Sequence, residues 1–175
     1  MPPLAEPEDW CNRLRAGEQA ACAELYDRFG KRLYRYALAI TGDHHLAEDI
    51  VQDIYRGLFR ALGKHDMIEA VENYLFRSAR NACLNRRRAA ATAATGLQNL
   101  PLVRPGHVTA DKDWLETEKI HRCLAQLPLE QRDAVLLRVE GGHSFEAIAK
   151  LSDSNVNTIY KRYQLALAKL REMLQ

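Results

Sequence analysis

Hydrophobic positions recur at helical spacing along most of this chain, and no alternating run long enough for a strand appears. Leu25, Phe29, Leu33, Tyr36 and Ile40 form one stripe and predict a helix from about Ala20 to Ile40. Gly17 separates it from a shorter helix around Glu8 to Arg15. Thr41-Gly42-Asp43 reads as a turn, with Asp43 placed to cap the next helix. That helix carries Leu46, Ile50, Ile54, Leu58 and Leu62 at four-residue steps, and Gly63-Lys64-His65-Asp66 ends it. A further helix is predicted from roughly Val71 to Arg88, with Tyr74, Leu75, Ala79, Ala82 and Cys83 inward.

The pattern then lapses. Residues 89–110 hold Ala and Thr runs, Gly96, Pro101, Pro105 and Gly106 with little charge, which reads as a linker. Helicity resumes near Trp114. Pro128 opens a helix through Val135, Leu136 and Val139, and Gly141-Gly142 stops it. Ser144 can cap a short helix with Phe145, Ile148 and Ala149, Ser152-Asp153-Ser154 is a turn, and a last helix runs from about Val156 to Leu174. The predicted fold is all-α, with two small helical domains, residues 1–90 and 114–175, joined by a flexible linker over 91–113.

Composition narrows the function more than the fold. The 175 residues are 47% hydrophobic and 27% charged, with 25 Lys+Arg against 23 Asp+Glu, as in a soluble globular chain. No run suits a membrane span, and the first residues lack a secretory pattern, so a cytoplasmic protein is expected. Cys11, Cys22, Cys83 and Cys123 show no CxxC spacing and read as reduced packing residues. No Gly-rich phosphate loop, GxSxG or HExxH occurs, and the adjacent His44-His45 face different ways around a helix. No enzyme, cofactor or metal site is expected.

Three features can carry chemistry. The helix from Ser144 to Lys150, the turn and the helix opening at Asn155-Val156 have helix-turn-helix spacing. With Ile159, Tyr163, Ala166 and Leu170 inward, Asn157, Tyr160, Lys161 and Gln164 face out, and no acid interrupts them before Glu172. Residues 77–88 contain Arg77, Arg80, Arg86, Arg87 and Arg88 and no acid, with Tyr74 and Phe76 just upstream, a mixture suited to neutralising phosphates and stacking unpaired bases. The plainer alternative is that Arg86–Arg88 complement a helix C-terminus. Finally, Asp49, Gln52, Asp53, Arg56 and Arg60 line the outer face of their helix, fit either for a protein partner or for plain solvent.

On these residues the chain resembles an extracytoplasmic-function (ECF) sigma factor of the sigma-70 family, from about Trp10 to Leu174. Ala23-Glu24-Leu25-Tyr26-Asp27-Arg28-Phe29 resembles the opening helix of sigma region 2, Leu46 through Tyr55 resembles region 2.2, and Tyr74 through Asn81 resembles region 2.4. Leu127-Pro128 through Val135, Ser144 through Ala149 and Thr158-Ile159-Tyr160-Lys161-Arg162 follow the region 4 pattern. The resemblance implies that Asp49, Gln52, Asp53 and Arg56 dock on core RNA polymerase. It implies that Lys64, Asn73, Tyr74, Arg77, Arg80, Asn81, Arg86, Arg87 and Arg88 serve the −10 promoter element, where a base is flipped out as melting starts. It implies that Asn155, Asn157, Thr158, Tyr160, Lys161, Arg162 and Gln164 serve the −35 element.

Three positions depart from the family pattern: Asp153 stands where Gly is common in the turn, Tyr160 where a basic residue is frequent, and Asn85 where Asp is frequent. Asp tolerates a left-handed backbone, so the turn is expected to survive. The expected partners are core RNA polymerase, promoter DNA and an anti-sigma factor wedged against Asp49–Asp53, with the protein at the nucleoid when polymerase-bound. Two alternatives stand beside this reading: a stand-alone helix-turn-helix regulator, and a sigma-like decoy that binds anti-sigma factors.

Overall fold

The long apolar stripe that opens the chain becomes its central helix. A computed structural model describes residues 7–64, 70–93 and 112–174. They form α1 (Pro7–Arg15), α2 (Gln19–Thr41), α3 (His44–Gly63), α4 (Val71–Ala93), α5 (Lys112–Gln126), α6 (Leu129–Val139), α7 (Phe145–Leu151) and α8 (Val156–Leu174). No strand occurs among the described residues. Leu25, Phe29, Leu33, Tyr36 and Ile40 of α2 are all buried, and α1, α3 and α4 pack around that helix.

Local chemistry sets the ends. Gly42 adopts φ +72°, a left-handed conformation open to a residue without Cβ, and its N–H closes α2 onto the Leu38 carbonyl. Asp43 then caps α3 by accepting from the Leu46 N–H at 2.9 Å. Ile50, Ile54, Leu58 and Leu62 lie inward as their spacing requires, and Leu46 is half-buried. Gly141 has no room for a side chain, because a Cβ would sit 2.5 Å from the Leu137 carbonyl oxygen.

Two sequence expectations change. The Ala-rich stretch after Arg88 does not start the linker, because α4 runs on to Ala93; alanine is the strongest helix former and needs no packing partner to extend an existing helix. Phe76 is not a stacking platform for bases. It is fully buried, edge-to-face with Tyr36 at 6.0 Å and with His143 at 5.4 Å. His65 and Asp66, and the linker signals Gly96, Pro101, Pro105 and Gly106, lie outside the described residues.

The second half, α5 to α8, packs its own helices around α6 and α8 and also leans on α2. Leu137, Ile148, Ile159 and Ala166 belong to the same apolar cluster as Tyr36 and Phe76. The halves therefore touch through apolar side chains and, as described below, through charged ones.

Leu58 is fully buried, so Leu58→Ala is expected to cost about 2–5 kcal/mol in urea denaturation. Glu48→Ala, on the exposed side of the same helix, is expected to change stability by about 0.5 kcal/mol or less. Burial lowers the pKa of the His121 and His143 rings below the ordinary 6.5. Their neutral forms therefore favour the folded chain fully above that value, and the contribution is lost as pH falls below it toward the folded-state values. The urea midpoint is expected to be lower at pH 5.5 than at pH 7.5, with His143→Gln removing part of the difference.

Candidate nucleic-acid interface

The α7–α8 pair is built for a protruding second helix. Ser144 caps α7 by accepting from the Ala147 N–H at 3.2 Å. Asp153 takes φ +48°, the one non-glycine residue with positive φ among those described, so it supplies the backbone that glycine commonly gives this turn. Asn155 then caps α8, its side-chain oxygen accepting from the Thr158 N–H at 2.8 Å. Along α8, Ile159 and Ala166 are buried and Tyr163 and Leu170 half-buried, which turns Asn157, Tyr160, Lys161 and Gln164 to solvent. Thr158 and Arg162 sit at the edges of that face, half-buried. Tyr160 leans edge-on against Phe145 at 5.4 Å, and the Arg138 guanidinium lies 5.1 Å from the same phenyl ring. The polar face of α8 is thus carried on a fixed aromatic support.

The arginine-rich helix divides into two sets. Asn73, Arg77, Asn81, Arg86 and Arg88 are exposed, as is Lys64 at the end of α3, and Tyr74 is half-buried. Arg86–Arg88 do not sit at a helix C-terminus, since α4 continues to Ala93, so the dipole alternative loses its geometry. Arg87 donates to the Ile40 carbonyl at 3.0 Å, and Arg80 is turned inward.

Asp49, Gln52, Asp53, Arg56 and Arg60 are all exposed on α3. Arg56 donates to Asp53 at 2.9 Å and to Gln52 at 3.0 Å. Such exposed pairs contribute little to stability, so the stripe is not there to hold the fold. Beside it a groove of about 440 Å³ opens between α2 and α3, lined by Tyr26, Gly30, Lys31, Tyr34, Glu48, Val51 and Gln52. Tyr26, 58% exposed, was not singled out by the sequence pattern, in which it is only the residue after buried Leu25.

The sequence reading also missed a polar set between the halves. Asp133 of α6 accepts from the Tyr36 hydroxyl at 2.6 Å and from Arg80 Nε at 2.7 Å. Arg80 also donates to the Leu151 carbonyl at 3.3 Å, and Arg35 pairs with Glu140 at 2.8 Å. Burial and the neighbouring Asp133 carboxylate push the Tyr36 hydroxyl well above its ordinary pKa, so it stays a donor. A signal existed: Asp133 shares a helix face with Leu136 and Leu137, three and four residues on, and both are buried.

Comparison with known proteins fits this layout. Sigma-70 region 2 matches residues 25–92, and Sigma-70 region 4 matches residues 117–170. The ECF RNA polymerase sigma factor SigM of Mycobacterium tuberculosis is 31% identical over 162 residues, covering 91% of this chain and 80% of its own length. The chain belongs to the ECF sigma factors. SigL of the same species is 33% identical over 169 residues, covering 91% of this chain and 92% of its own. EcfG of Rhodopseudomonas palustris is 30% identical over 149 residues, 81% of this chain and 78% of its own. Two solved structures share the fold: the sigma factor RpoE bound to the anti-sigma factor NepR from Bartonella quintana (TM-score 0.73, 24% identity, 87% of this chain and 94% of that one) and CnrH bound to the cytosolic domain of CnrY (TM-score 0.69, 22% identity, 96% of each).

Within this ECF sigma factor the α3 stripe and the exposed α4 arginines fall in region 2, and the α7–α8 pair falls in region 4. No described helix is long and apolar enough to cross a membrane. The Asn155 cap separates a structural from a surface role. Asn155→Ala is expected to cost about 1 kcal/mol in thermal or urea unfolding, and Asn155→Asp to recover it.

Proposed function

We propose that this ECF sigma factor docks on core RNA polymerase through Asp49, Gln52, Asp53 and Arg56. On this reading it reads −35 duplex through Asn155, Asn157, Thr158, Tyr160, Lys161, Arg162 and Gln164. It opens −10 DNA against Lys64, Asn73, Tyr74, Arg77, Arg80, Asn81 and Arg86–Arg88. One observation carries the reading: the exposed face of α8 bears hydrogen-bonding and basic side chains, backed by a rigid aromatic support, with no acid before Glu172. A helix so presented fits a major groove, where base edges are read by such groups. The chain itself performs no catalysis and acts in the cytoplasm. An anti-sigma factor is the natural regulator, and the RpoE and CnrH structures, with NepR and CnrY bound, lend this support. The groove between α2 and α3 beside Gln52 offers such a protein an apolar foothold next to the polymerase-facing stripe.

With a net charge of +2 the free chain should hold DNA weakly, because only local basic patches displace counterions. The test is transcription in vitro with core RNA polymerase on a library of promoter-like DNA. New sequence-selective starts are expected, lost when Asp49 and Asp53 are both changed to Ala. Lys161→Ala is expected to reduce promoter retention by the assembled polymerase and to lower its salt slope by about one. Core binding without initiation would favour the decoy. DNA retention without core binding would favour the stand-alone regulator.

A further inference from the structure

Two histidines of the region 4 half close against cations of the region 2 half. His143, in the loop between α6 and α7, is 5% exposed, and its Nε2 is buried with no hydrogen-bond partner among the described residues. The backbone fixes the ring in place. The His143 N–H donates to the Leu137 carbonyl at 3.2 Å, Arg138 donates to the His143 carbonyl at 2.8 Å, and a Cβ at Gly141 would strike the ring at 2.5 Å. The ring stands edge-to-face with Phe76 of α4, and Arg32 of α2 lies 5.6 Å from the same phenyl ring while pairing with Glu72 of α4 at 3.1 Å. Arg32 and Glu72 are the charged side chains that His143 faces across the seam. His121 of α5, half-buried, faces His44 of α3, Arg35 of α2 and Glu140 just past α6. His44 in turn meets the Tyr34 hydroxyl through Nδ1 at 2.6 Å.

Both nearby carboxylates are already engaged, Glu72 by Arg32 and Glu140 by Arg35 at 2.8 Å. Burial, helped by Arg32, holds the His143 ring below its ordinary pKa against the pull of Glu72. Burial, helped by His44 and Arg35, does the same to His121 against the pull of Glu140. Arg32, Arg35 and His44 all come from the region 2 half, so parting the halves removes each of them and returns water to both rings. The closed form therefore favours neutral rings, and the parted form lets them titrate near the ordinary value of about 6.5. Parting then takes up as many as two protons. The ratio of parted to closed chains is level above that value and rises by up to about 100-fold per pH unit below it, toward the closed-state values.

We infer that His121 and His143 make the seam a proton-controlled switch: mild acid charges both rings beside the arginines of region 2 and drives the two halves apart, each still folded. Histidine is the side chain suited to this, since its charge changes between pH 5 and 8 while the arginines facing it stay charged. The switch is independent of the DNA and polymerase roles proposed above.

Small-angle X-ray scattering of the full chain between pH 7.5 and 5.0 tests it, with circular dichroism at each pH as the folding control. A compact chain of this length has a radius of gyration of about 16 Å, whereas two half-size bodies some 45 Å apart give roughly 25 Å. The wild type is expected near the first value at pH 7.5 and to move toward the second by pH 5.5, with helicity unchanged and a slope of about two protons. His121→Gln, at the half-buried site, is expected to leave the chain compact at pH 7.5 and to bring the slope to about one. His121→Gln/His143→Gln is expected to stay compact at pH 5.5 and to open only where the carboxylates of Glu72 and Glu140 take up protons. A wild type that stays compact at pH 5.5 would overturn the switch. So would expansion accompanied by loss of helicity, which is acid unfolding, or a His121→Gln chain that opens with the wild-type slope and midpoint.

Discussion

A carboxylate removed from water must find donors or lose its charge, and Asp133 finds them across the boundary between the two halves. The Tyr36 hydroxyl and Arg80 Nε sit at 2.6 and 2.7 Å, and the first is 97 residues away along the chain. Leaving such a group with one partner removed costs about 3–5 kcal/mol, while separating both partners into water costs far less because each is rehydrated. The contact is therefore sensitive to loss of one side chain and yielding to separation of the halves as a unit. An interface sealed by apolar residues alone would lack that second property. This one mixes the Phe76–His143 ring contact with the Arg35–Glu140 and Arg80–Asp133 ion pairs and with guanidinium hydrogen bonds from Arg32, Arg80 and Arg132 to the carbonyls of Glu140, Leu151 and Ala39, a composition closer to transient than to permanent interfaces.

The same helices serve opposite demands on their two sides. α3 buries Ile50, Ile54, Leu58 and Leu62, so its backbone is held firmly. Its outer stripe needs no structural work, and the Arg56 bonds to Asp53 and Gln52 hold those carboxylate and amide groups in a defined spread rather than stabilising the fold. α8 repeats the arrangement with a thinner anchor, Ile159 and Ala166, supplemented by Tyr163 on Phe145. Groups meant for a macromolecular partner are most precise when carried on rigid elements.

Periodicity made the elements legible, since a stripe of apolar residues at helical spacing can be buried in only one way. The Asp43, Ser144 and Gly42 boundaries were equally plain, because each satisfies a backbone group that the helix end leaves open. What covers a buried face was not legible. Leu75 and Phe76 are neighbours, about 100° apart around α4, and both are fully buried because the helix is covered on two sides. One side faces α2 and α3, and the other meets His143 from the second half. No spacing rule within α4 announces a partner nearly 70 residues away. For the same reason Arg80 reads in sequence like Arg77, and only the fold distinguishes the inward guanidinium from the outward one.

The departures from the family pattern gain meaning from their settings. Asp153 occupies the left-handed turn without glycine's flexibility, so the angle between α7 and α8 is set more tightly than a glycine would set it. Tyr160 replaces a frequent cation with a ring whose edge rests on Phe145 and whose hydroxyl both donates and accepts. On the reading proposed for α8, that exchange removes one phosphate-neutralising charge and adds a contact able to meet a base edge or a thymine methyl. Affinity would then depend less on salt at this position and more on sequence. Lys161, beside it, retains the electrostatic part. The two neighbours divide between them what a pair of basic residues would duplicate.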